Sequence, residues 1–444
     1  MLVILHGWSD NAKSFARLGK RLVDAGAADS VTHVRLGDYI SLDDHVTYDD
    51  LAEALQAAWR KEKLPTTPRS VDVVVHSTGG LVIRHWMTRF FRPDTNPVFR
   101  LLMLAPANFG SPLAHKGRSF VGRIVKGFKS DKLFETGTQI LKGLELASPF
   151  TWDLALRDRF SGETWYGPGR VLCTVLVGTS GYSGISAAAN EDGSDGTVRV
   201  STANLNPLLV KLDFATNPDK PTLTLTDAAG ATAFARLPGE NHSTVALKDN
   251  GPANEATLPL MIRALRVNDA GFAAWVDELE KLSAEARAQS ADNFFAHGYQ
   301  NTVVRLGDNL GAFIPDYFLE MFAKTPDGKK VDDSLTAFIQ ERVVNTVHPY
   351  EDNPAYRSLL LDTDFLEAKV SGAGNALYVS VTAMPDIRKT DSVGYSTFGF
   401  DDIGSIKLTP KNARVVFQPD RTVLIDLVIK REQRERVFRL LPLG

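Results

Sequence analysis

Cysteine is almost missing from this chain: Cys173 is the only one among 444 residues. That excludes an internal disulfide, so the fold has no need of an oxidising compartment. Its setting, the apolar run from Val171 to Val177, suits a small buried hydrophobe. Long apolar runs are missing as well, and none approaches the roughly 20 residues of a membrane span. Met1-Leu-Val-Ile-Leu5 is too short for the core of a secretory signal and has no basic flank. As written, the chain is expected in the cytoplasm, with a signal-independent export route left open. Neither sign of charge is in excess. Lys and Arg number 50 against 53 Asp and Glu, a net charge of −3, which gives no reason to expect nucleic acid. His33, His45, His85, His115, His297 and His348 fall at no ligand spacing, so neither a metal nor a cofactor is expected.

What is present is an ordinary globular composition, 43% apolar and 23% charged. At this length two domains are expected. Strand-like runs cover residues 2–5, 31–36, 71–75, 98–105 and 171–177. Helical patterns separate them, the clearest at 48–59 with Leu51, Leu55 and Trp59 four apart. Such alternation predicts a parallel sheet with helices on both faces. Two segments break the rhythm. One is a long insert at about 108–169. The other is 222–237, whose turn near Gly230 suggests a two-stranded ribbon. Residues 272–288 read as a connector helix with Phe272, Trp275, Val276 and Leu279 on one face. From about Tyr299 the texture changes to short runs between turns: 302–306, 317–322, 376–382, 413–417, 423–429 and 437–441. These predict a mostly-β, sandwich-like second domain. The expected division is 1–270, a connector at 271–298, and 299–444. A fragment ending near Ser290 is expected to fold alone.

The chemistry concentrates at Val71-Asp-Val-Val-Val-His-Ser77-Thr-Gly-Gly-Leu81. A β-branched strand runs into a serine at a sharp turn, and a helix follows. That is the nucleophile elbow of serine hydrolases, which lifts a hydroxyl above the sheet at a helix N-terminus where backbone N–H groups receive negative charge. Small residues are needed around the serine. Gly79 and Gly80 meet that need, and Val75 stands where a glycine is usual.

A serine needs a base, and the base needs an acid to orient it. Asp195 opens Asp195-Gly-Thr-Val198, a tight turn after the fifth strand, with Asp192 the other carboxylate nearby. His242 sits in Gly239-Glu-Asn-His242, a loop leading into a helix. The order Ser77, Asp195, His242 is the one expected of this architecture. His76 adjoins the serine, but strand alternation turns it the other way, so it reads as structural, as does His6.

With these residues the chain resembles an α/β-hydrolase of the bacterial lipase/esterase type. The matching pieces are His6-Gly7-Trp8, His76-Ser77-Thr78-Gly79-Gly80, Leu104-Ala-Pro-Ala-Asn-Phe-Gly110-Ser-Pro-Leu113, Asp195-Gly-Thr-Val198 and Asn241-His242, spread over about the first 250 residues. The resemblance implies Ser77 as nucleophile, His242 as general base and then acid, and Asp195 as the residue fixing the imidazole tautomer. It implies an oxyanion hole from the backbone N–H groups of Trp8 and Thr78.

The insert sits where this fold commonly builds a lid. Lys116, Arg118, Arg123, Lys126, Lys129 and Lys132 alternate there with Phe120, Val121, Ile124, Val125 and Phe128, spaced as one helical face. Such a helix either lies on an anionic lipid surface or packs its apolar face on the protein. Phe120, Ile124, Phe128, Phe150 and Trp152 are the candidate substrate-lining residues. The resulting expectation is a serine hydrolase of acyl esters or lipids. A phospholipase at anionic membranes is the nearest alternative, and a non-catalytic binding scaffold is the reading from another class. Oligomeric state is not legible.

Overall fold

A computed structural model describes the chain apart from residues 6–14, 41–43, 115–136, 218–220, 249–250, 326, 328, 371–376, 384–392, 396–405, 409 and 434–444. It divides into two compact units. Met1–Pro207, Asp227–Gly298 and Asp420–Thr422 form the first; Leu208–Thr226, Tyr299–Pro419 and Val423–Gly444 form the second.

The first eight strands are β1 (Leu2–Leu5), β2 (Val31–Val34), β3 (Val71–His76), β4 (Val98–Leu104), β5 (Leu172–Gly178), β6 (Leu208–Asp213), β7 (Thr222–Asp227) and β8 (Ala233–Leu237). Six of them make the sheet of the first unit, in the order β2-β1-β3-β4-β5-β8. Every neighbouring pair is parallel. β1 and β5 are buried from end to end, and β3 and β4 nearly so, as suits their largely apolar runs.

Among the helices of this unit are α1 (Ala16–Asp24), α2 (Tyr48–Lys61), α3 (Gly79–Phe90), α4 (Thr138–Leu144), α5 (Pro149–Asp158), α6 (Thr257–Ala264) and α7 (Phe272–Ala288). Thr47 and Asp50 close a reciprocal capping box at the start of α2. Leu51, Leu55 and Trp59 are buried as their spacing predicts, and the Trp59 ring meets Trp86 of α3 at 4.6 Å. Phe272, Trp275 and Leu279 of α7 are buried too. That helix lies on β8, and Trp275 Nε1 donates to Thr174 Oγ1 at 3.0 Å. It is thus a layer of the first unit.

The ribbon expected at 222–237 does not form. Its two strands part into different sheets. β8 is wholly buried and pairs with β5, whereas β7 alternates exposed and half-buried residues and ends the order β11-β12-β9-β16-β6-β7 in the second unit. The new strands there are β9 (Tyr299–Asp308), β10 (Tyr317–Ala323), β11 (Val344–Pro349), β12 (Tyr356–Asp362), β13 (Leu377–Ala383), β14 (Val393–Tyr395), β15 (Ile406–Leu408), β16 (Thr422–Ile429) and β17 (Arg431–Gln433). β10-β13-β15 make a three-stranded sheet and β14-β17 a pair, so the second unit is β-rich. A core of Leu208, Val304, Leu361, Val423 and Leu427, among others, lies within it. Residues 413–416, expected as a strand, belong to the helix Pro410–Val416, whose leading proline suits a first helical position. The run expected at 437–441 lies outside the described residues.

A cut near Ser290 would remove parts of the first unit itself. Arg236 of β8 is buried and pairs with Asp420 through Nη1, at 3.2 and 3.1 Å to the two carboxylate oxygens. Its Nη2 donates to the Ala296 carbonyl. Thr422 Oγ1 donates to the Ser201 carbonyl at 2.8 Å. Chain that is remote in sequence therefore completes this unit.

Candidate active site

β3 ends at the serine. Ser77 adopts φ +56°, in the left-handed region that a non-glycine residue enters at a cost, and α3 starts two residues later. Crowding explains the glycines. A Cβ on Gly80 would stand 2.8 Å from Pro106 Cβ, so the helix can approach the loop after β4 only with a hydrogen there. At Gly79 the space is easier: a Cβ there would meet Val75 Cβ at 3.4 Å, an ordinary contact, so Val75 fits where glycine is usual.

The structure brings Ser77, Asp195 and His242 together. Ser77 Oγ lies 3.0 Å from His242 Nε2, and His242 Nδ1 lies 2.9 Å from Asp195 Oδ2. With the carboxylate as acceptor, Nδ1 carries the proton, and the neutral ring then accepts from the serine hydroxyl at Nε2. Asp195 is fully buried. Its Oδ1 accepts from the backbone N–H groups of Thr197 and Val198 at 2.9 and 2.8 Å, which leaves Oδ2 for the histidine.

Both loops are braced. The His242 N–H donates to the Asp195 carbonyl at 3.0 Å. Asn241 Oδ1 caps the next turn through Ser243 and Thr244 N–H at 2.9 and 3.0 Å. Buried Glu240 gathers the N–H groups of Ala253 and Asn254. On the acid side, Ser111 Oγ donates to the Thr197 carbonyl at 2.6 Å and Asn108 Nδ2 to the Ala203 carbonyl at 2.8 Å. The Asn108-Phe-Gly-Ser111 stretch thus anchors the segment that carries Asp195. From α3, Arg84 donates two hydrogen bonds to Asp158 at 2.7 and 2.9 Å, and Tyr166 donates to Asp158 at 2.9 Å.

His76, read from the sequence as structural, touches the site. Its Nε2 donates to the His242 carbonyl at 2.9 Å, and the two imidazoles lie 4.5 Å apart. No pattern in a single sequence announces that contact. Asp192 is half-buried in the same turn, and the carboxylate described as accepting from His242 Nδ1 is that of Asp195.

Thr78 is half-buried at the start of α3. Trp8, Phe120, Ile124 and Phe128 lie outside the described residues. Trp152 is buried in α5, and Phe150 stacks on Tyr48 at 4.2 Å and meets His85 in a T-shaped pair at 5.3 Å, so Phe150 packs α5 onto α2 and α3. Among the described residues there is no cluster of three or more metal-binding side chains, and no helix is long and apolar enough to cross a membrane.

No curated protein sequence matches the chain. Two solved structures cover all of it. Phospholipase PlaB from Legionella pneumophila is 25% identical over 100% of this chain and 96% of its own, with a TM-score of 0.79. The same phospholipase in complex with thio-NAD gives 25% identity, the same coverage and a TM-score of 0.77. Residues 2–166 match the model of the Alpha/beta hydrolase family. With that match, the six-stranded parallel sheet and the elbow after β3, the first unit of this chain has the α/β-hydrolase fold.

Proposed function

We propose that this chain is a serine hydrolase that cleaves carboxylic esters of acyl lipids, with phospholipids as the favoured class. The observation that carries the reaction is the hydrogen-bonded line Ser77–His242–Asp195. The likeness to a phospholipase over both units supports the substrate class.

His242 takes the hydroxyl proton as Ser77 Oγ attacks the ester carbonyl. Asp195 stabilises the imidazolium that forms and keeps Nδ1 protonated. The backbone N–H of Thr78 receives the oxyanion, with the Trp8 N–H as second donor by the resemblance. Collapse of the tetrahedral intermediate expels the alcohol, which takes the proton back from His242. A water activated at the same nitrogen then releases the acyl group. The basic stretch at 116–132 suits an anionic lipid surface.

Ser77→Ala tests the reading. It should lower hydrolysis of a soluble ester and of phosphatidylglycerol vesicles by on the order of 10³ or more, and abolish labelling by a fluorophosphonate. Turnover above about 1% of wild type, in a folded variant, would reject Ser77 as nucleophile. Activity confined to soluble esters would reject the lipid.

A further inference from the structure

The second unit contains a cavity of about 310 Å³. Two sheets supply its walls. Leu319 and Met321 of β10 and Val379 of β13 stand on one side; Leu212 of β6, Leu359 of β12 and Ile425 of β16 stand on the other. Most of these side chains are only half-buried although they pack against the core, so the cavity opens to solvent. Phe318 and Val347 also line it and are 60% and 54% exposed, which marks its mouth. Exposed side chains of that size are costly to leave in water.

The polar groups at the cavity are few and engaged. Gln300 accepts from the Gln418 N–H at 2.9 Å and donates to Thr302 Oγ1 at 2.8 Å. Gln340 donates to Glu320 at 3.2 Å. An ordered water needs two to four polar partners, and these walls offer almost none. The described lining contains no Lys or Arg, and its one charged group is the Glu320 carboxylate.

We propose that this cavity binds one alkyl or acyl chain carrying an uncharged head group. The apolar walls select the chain. The absence of a cation among the described lining residues, with Glu320 present, disfavours a free fatty acid. A methylene fills about the room of a water, ~30 Å³, so the cavity holds about ten of them. The proposal concerns binding alone and goes beyond the ester chemistry assigned to Ser77.

The probe is a series of 1-O-alkylglycerols, ethers that no esterase cleaves, titrated calorimetrically into the full chain below their critical micelle concentrations. Affinity should rise by roughly fourfold per methylene. It should level off near ten carbons, and decanoate should bind at least tenfold more weakly than the decyl ether. Blocking Ser77 with a small fluorophosphonate should leave binding intact. Val379→Trp, which fills the cavity, should weaken decylglycerol binding more than tenfold while hydrolysis of a soluble ester stays within twofold. Three results would overturn the proposal: no saturable binding to wild type, affinity still climbing evenly through fourteen carbons, or unchanged binding in an active Val379→Trp protein. Should that variant not fold, the wild-type chain-length series decides.

Discussion

Replacing Asp420 by alanine strands a guanidinium inside the first unit. Arg236 is 1% exposed and Asp420 4%, so the pair is shut off from water. The substitution removes both carboxylate contacts from Nη1 and leaves the Ala296 carbonyl on Nη2. It spares the Asn204 hydrogen bond to the Asp420 carbonyl, which is main-chain. Breaking a buried pair from one side typically costs about 3–5 kcal/mol, against about 1 or less for an exposed pair. The expected loss is in the upper range. Urea unfolding, followed both by circular dichroism and by loss of ester hydrolysis, measures it. Asp420→Asn keeps an acceptor and should lose less. Arg236→Met added to Asp420→Ala should recover part of the loss, because the stranded charge is gone and the two effects are coupled. The argument fails if Asp420→Ala costs under about 1 kcal/mol, or if the double variant equals the sum of the singles. A fragment ending near Ser290 lacks Ala296 and Asp420 together and should be unstable for the same reason.

Asp195→Asn should cut turnover by on the order of 10³–10⁴, since an amide cannot hold the Nδ1 proton as a carboxylate does; Asp192→Asn should stay within a few-fold, and steady-state kinetics showing the reverse would reassign the acid. Burial pushes the Cys173 thiol up to about 12. A raised thiol pKa means the protonated, unreactive form persists below that pH, with a thiolate fraction of about 10⁻⁴ at pH 8. A disulfide reagent should therefore leave the native protein unlabelled and find one thiol per chain after denaturation; stoichiometric labelling of folded protein within minutes would contradict the buried placement.

Much of the first unit was legible because its signals are local. A β-branched run, a serine and two glycines specify the elbow within about ten residues. Strand spacing then makes Asp195 and His242 the residues in reach. What escaped is set by distant partners. β7 and β8 look alike as short runs around Gly230, yet they join different sheets. A clue was present: Thr-Leu-Thr-Leu-Thr-Asp alternates like a half-exposed edge, while Ala-Phe-Ala-Arg-Leu does not. The ion pair between Arg236 and Asp420 joins residues 184 apart and has no sequence signature. The contact of His76 with the His242 carbonyl likewise depends on where a loop 166 residues away returns.

The parallel pairing of β16 with β6 also bears on synthesis. Val423 registers against Leu208, and β16 lies between β9 and β6 inside its sheet. During translation, β6 and β7 leave the ribosome long before the strand that will cover their inner edge exists. At roughly 5–20 residues per second the wait is about 10–40 s. Through that interval β6 has an unpaired edge, and Arg236 lacks its Asp420 carboxylate. Neither unit can be completed until residues 420–429 emerge.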